Sequence, residues 1–138
     1  MSSTISKIRL DSENICFFGT EPKFNDETRQ VLTLHQSGQI DFKGYRYGDQ
    51  TLLRKKKVLI SPKVIQHLFH EIEIIALDSV RVTDVGTWEM DIYYPDYHEE
   101  FFGSLISGNG FDKVSDGLRK ITKIHQLFAF NGNYDCSN

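Results

Sequence analysis

One stretch constrains this chain more than any other: Asp84 to Ile106, which holds the single tryptophan and the cleanest period-2 alternation. Trp88, Met90, Ile92 and Tyr94 fall on one face of a strand; Thr87, Glu89, Asp91 and Tyr93 fall on the other. With Pro95 to His98 as the loop, Tyr94 meets Glu99, Ile92 meets Phe101, Met90 meets Gly103 and Trp88 meets Leu105. That register keeps apolar partners together, and a one-residue slip breaks it. Trp88 is therefore expected in the core. Gly103, lacking a side chain, leaves room for the indole.

A second hairpin spans Arg29 to Tyr47. Gly38 suits the left-handed position that closes a three-residue loop, Gln36-Ser37-Gly38. This sets Leu34 against Ile40 and Leu32 against Phe42. A two-residue Ser-Gly loop would set Leu34 against Asp41 and Leu32 against Lys43. Ser61-Pro62 starts a helix, because serine caps a free N–H and proline at the first position loses no hydrogen bond. The helix runs to about Ala76, with Ile65, Phe69, Ile72 and Ala76 as its apolar stripe. A shorter helix covers Val114 to Ile124. Its Arg119, Lys120 and Lys123 face out, and Gly117 is expected close against the sheet.

Less regular segments complete the outline. Ile5 to Leu10 reads as a first strand and Asp11 to Asn14 as a turn. Ile15 to Phe18 is a short apolar run, and Gly19 to Glu27 is a loop. Val80 to Val82 is a short strand, Ser107 to Phe111 a glycine-rich turn, and Leu127 to Phe130 a strand or extended segment. Residues 131–138 form a fraying tail. The expected fold is α+β, a single domain over 1–138: an antiparallel sheet of four to six strands with two helices packed on one face.

The order of landmarks resembles a set of small bacterial domains of unknown activity. It is carried by Asp84-Val85-Gly86-Thr87-Trp88-Glu89-Met90, Phe102-Gly103-Ser104-Leu105, Leu118-Arg119 and Leu127-Phe128-Ala129-Phe130-Asn131-Gly132. The likeness covers about Arg29 to Gly132 and implies the α+β fold. It brings no substrate, cofactor or site residue with it.

Charge and cysteines bound the function. The 138 residues carry a net charge of −3, which predicts no global field for nucleic acid or anionic membrane. No apolar run reaches the roughly 20 residues of a membrane helix, and the first residues lack the apolar stretch of a secretory signal. Cys16 and Cys136 are read as free thiols, which places the protein in the cytoplasm; one bridge between them stays open.

Few side-chain patterns point to chemistry. His67, His70 and Glu71 place two histidines on one helix face, but spacing supplies no third ligand. Arg54 to Lys57, with Tyr45 and Tyr47 nearby, could track phosphates, or form a charged loop or edge strand. Gly103-Ser104-Leu105 and Ser107-Gly108-Asn109-Gly110 match neither a nucleophile elbow nor a phosphate loop. Glu89, Asp91, Glu99 and Glu100 concentrate acid on the central hairpin; Glu89, Asp91 and Glu100 face away from Trp88, and Tyr93 and Phe102 share that outer face.

These features favour a non-catalytic protein-interaction module. Its binding residues are Asp91, Tyr93, Glu100 and Phe102, and its partner is another protein or itself. No catalytic residue, metal ligand or cofactor is assigned, and neither nucleic acid nor membrane is expected as a partner. The alternatives are a small metal- or carboxylate-dependent hydrolase and a nucleic-acid-binding accessory protein.

Overall fold

A computed structural model describes residues 4–13, 23–76, 87–105, 110–124 and 126–132. The strands are β1 (Lys7–Glu13), β2 (Glu27–His35), β3 (Gln39–Arg46), β4 (Leu52–Leu59), β5 (Thr87–Tyr93) and β6 (His98–Ser104); the helices are α1 (Pro62–Ala76) and α2 (Asp112–Thr122). All six strands join one antiparallel sheet in the order β4-β3-β2-β1-β5-β6. Both helices cover the same face. Their buried side chains share one core with Ile8, Leu10, Leu32, Leu34, Ile40, Phe42, Trp88, Met90 and Ile92.

The β2–β3 hairpin follows the three-residue loop, with Leu34 opposite Ile40 and Leu32 opposite Phe42. Gly38 has φ +101°, and a Cβ there would sit 2.1 Å from the Ile60 carbonyl oxygen. Ile60 N–H donates to the Gly38 carbonyl (2.9 Å), so the turn anchors the chain just before α1. Ser61 Oγ then accepts from Lys63 N–H at 3.2 Å, the expected cap. Ile65, Leu68, Phe69, Ile72 and Ala76 are the buried side of that helix.

The central hairpin is displaced by two residues from its expected register. Tyr93 faces His98, Met90 faces Phe101 and Trp88 faces Gly103. Tyr94 N–H donates to the Tyr97 carbonyl (2.8 Å), so Pro95 and Asp96 alone make the loop. A shift of two preserves every facing, which is why period 2 could not detect it. The room at Gly103 is real: a Cβ there would lie 2.5 Å from Trp88 Cζ2. Trp88 packs edge-on against Phe111 and Phe130, whose rings stack at 4.0 Å.

Five local expectations are corrected. Asp11, Ser12 and Glu13 belong to β1 and not to a turn, because β2 and β5 pair with that strand on both sides. A Cβ on Gly117 would meet nothing within 4 Å, so this glycine does not sit close against the sheet.

Arg119 does not face out. Its guanidinium donates to the carbonyls of Leu127 (2.8 Å), Phe128 (3.4 Å) and Gly132 (2.7 Å), and to Asn131 Oδ1.

Leu127 to Phe130 is no strand. It is a buried turn, with Ala129 at φ 48°. A buried irregular segment must satisfy its backbone through side chains. Here Ser12 Oγ donates to the Ala129 carbonyl (2.7 Å), Gln30 Oε1 accepts from Phe128 N–H (2.7 Å) and Ser115 Oγ accepts from Phe130 N–H (3.2 Å).

Asn131 and Gly132 do not belong to the expected fraying tail. Asn131 bonds Asp112 (3.0 Å), and Gly132 N–H donates to the Phe128 carbonyl (2.9 Å). Residues 133–138, both cysteines, Ile15 to Phe18 and Val80 to Val82 lie outside the described residues, as does most of the Ser107 to Phe111 turn.

Candidate interaction surface

The helices leave the other sheet face uncovered among the described residues. Alternation puts every second residue there, and pairing aligns them in rows across six strands. One row reads Lys57, Asp41, Thr33, Arg9, Asp91, Glu100; the next reads Lys55, Lys43, Val31, Asp11, Glu89, Phe102.

The four expected binding residues share this face. Asp91 lies directly opposite Glu100, and Tyr93 opposite His98, with rings stacked at 5.3 Å. Lys7 Nζ sits 4.5 Å from the Tyr93 ring centre. Phe102 is 55% exposed and faces Glu89. The two-residue shift makes Asp91 and Glu100 an opposed like-charge pair, which weakens a sheet.

The other half of the face is basic, and its Tyr45, Lys55 and Lys57 entered the sequence reading only through the nucleic-acid alternative. Lys43 lies directly opposite Lys55. An open groove of about 630 Å³ runs over this half, lined by Arg9, Val31, Thr33, His35, Asp41, Lys43, Tyr45, Lys55 and Lys57 among others. His35 Nε2 lies 2.9 Å from Asp41 Oδ2. Burial opposes ionisation of Asp41, but hydrogen bonds from Gln39 and His35 outweigh it and hold the carboxyl below its usual range.

The signal for this half was present in Arg54 to Lys57. Period 2 divides that run between two faces. Arg54 turns inward to a bidentate pair with Glu27 (2.8 and 2.7 Å), and Lys56 donates to the Thr122 carbonyl at the end of α2 (2.7 Å). Only Lys55 and Lys57 reach the outer face. The run is thus an edge strand, not one continuous phosphate track.

Metal ligation was expected nowhere, and His67 instead lies 3.3 Å from Glu71 on an exposed helix face. Among the described residues, Asp91, His98 and Glu100 bring three donor atoms within 4.8 Å of one another. Two oxygens and an imidazole nitrogen suit a divalent cation. All three stand on an open strand surface, and they line neither the basic groove nor the roughly 300 Å³ cleft around Arg29 and Glu89.

No helix among the described residues is long and apolar enough to cross a membrane. Neither a protein-family model nor a curated protein matches the chain.

Proposed function

We propose that this protein is a non-catalytic interaction module of the cytoplasm that binds a protein through its outer sheet face. The observation that carries the reading is a sheet face, uncovered among the described residues, where exposed Phe102 and stacked Tyr93 stand among opposed acidic side chains. Aromatic anchors within a polar surround are the usual anatomy of a transient protein interface. An open strand surface lacks the enclosure that raises a carboxyl pKa for acid–base work, which argues against the hydrolase alternative.

Photo-crosslinking tests the reading. A benzophenone amino acid placed at Phe102 in cells should give a discrete protein adduct that a Glu100→Lys change removes. The same probe at Ile74, exposed on α1, should give none. Equal labelling from both positions, or none from Phe102, would overturn the proposal.

A further inference from the structure

Charge is segregated across the outer face. The β2–β4 half carries Arg29, Lys43, Lys55 and Lys57 against Asp41, net +3 with His35 neutral. The β1–β5–β6 half carries Asp11, Glu13, Glu89, Asp91 and Glu100 against Lys7 and Arg9, net −3. The halves meet between β2 and β1, the midline of the six-strand order. We infer that the partner for this face is a second copy of the same chain, docked face to face about a twofold axis along the strands. The inference rests on the reading of the outer face as an interface.

Symmetry supplies the argument. A twofold axis parallel to the strands reverses their order, so β4 lies over the partner's β6 and β3 over its β5. The rows then match by level. Lys57 comes over Glu100, Lys43 over Glu89, and the Lys55 stem over the Phe102 ring, each contact occurring twice. The opposed pairs Lys43–Lys55 and Asp91–Glu100, unfavourable in one copy, each gain neighbours of opposite sign in two. Asp41 falls over Asp91, the one like-charge contact in these two rows; it is flanked by Lys43 and Lys57 and already bonded to His35. A twofold axis across the strands would instead set β4 on β4 and place lysine on lysine.

Size and edges agree. Six strands at ~4.8 Å spacing and seven residues at ~3.3 Å give a face of roughly 670 Å², near the ~800 Å² per partner of a standard interface. Lysines on β4 and glutamates on β6 discourage edge-to-edge growth, so a closed pair forms by the face.

Two charge-reversed variants test this in the full chain by sedimentation velocity at low salt. Wild type should sediment as a dimer that dissociates as salt rises, because its charges are exposed and screened. Lys55→Glu/Lys57→Glu makes both halves acidic, and Glu89→Lys/Glu100→Lys makes both basic. Each alone should associate at least about tenfold more weakly. Mixed, they should recover a heterodimer, since acidic halves then meet basic halves at both contacts. All four side chains are exposed, and unchanged thermal melting would show that both variants fold. A monomeric wild type, dimers that survive either reversal, or a mixture that fails to recover would each overturn the inference. A monomer that still gives the Phe102-specific adduct in cells would remove the second copy and leave the interface standing.

Discussion

Trp88 is fully buried, opposite a glycine and edge-on to two phenylalanines. Truncating it to alanine opens a cavity among Phe111, Phe130 and Gly103. We expect Trp88→Ala to cost roughly 3–5 kcal/mol, a large share of the 5–15 kcal/mol typical of a domain. His67→Ala, on the exposed side of α1, should cost less than about 0.5 kcal/mol. Denaturant titration of both variants checks the pair, and a reversed ranking would mean that the facings are inverted. Asp41 gives a prediction in pH. Its folded pKa lies below the ordinary carboxylate value. Its contribution to stability is therefore full above about pH 4 and is lost as pH falls through the folded pKa. Wild type should lose more stability on acidification than Asp41→Asn, measured by denaturant midpoints at successive pH values. The facing of Trp88 was legible because alternation records it directly. The engagement of Asp41 was not, because it depends on the neighbouring His35 and Gln39.

At the scale of elements, the turn from Leu127 to Gly132 shows where sequence patterns stop. Four apolar residues in a row read equally well as a strand or a buried turn. The distinguishing information lies elsewhere in the chain, in Ser12, Gln30, Ser115 and Arg119, whose side chains meet this backbone from two strands and a helix. A helical wheel sees only that Arg119 is off the apolar stripe. It cannot see a segment folding over that flank. Arg119→Leu leaves several carbonyl oxygens without a donor in a site mostly closed to water. At ~1–3 kcal/mol for each buried unsatisfied group, the loss should be at least about 2 kcal/mol. Arg119→Lys should recover only part of it, since one ammonium cannot reproduce the guanidinium fork. Thermal melting of both variants measures this, and a neutral Arg119→Leu would refute the assigned role. The helix start at Ser61-Pro62 and the loop at Gly38 were legible for the opposite reason: their determinants are adjacent in the chain.

For the whole molecule, the fold class followed from alternation and short links, but strand order did not. Nothing in Ile8 or Leu10 says which strands flank them. The groove over the basic half of the outer face was missed for the same reason, since Arg9 joins Tyr45, Lys55 and Lys57 there only because β1 lies beside β2. The central place of β1 also sets a timetable for synthesis. Strands β1 to β4 form a meander of neighbours in sequence, whereas β5, which closes the other edge of β1, begins only at Thr87. At ~5–20 residues per second, the ribosome needs roughly 2–7 s to go from the end of β4 at Leu59 to the end of β5 at Tyr93. Throughout that interval the completed nascent meander carries an open hydrogen-bonding edge on β1. A chaperone that shields that edge, or a second nascent chain that captures it, competes with the chain's own β5 until translation delivers it.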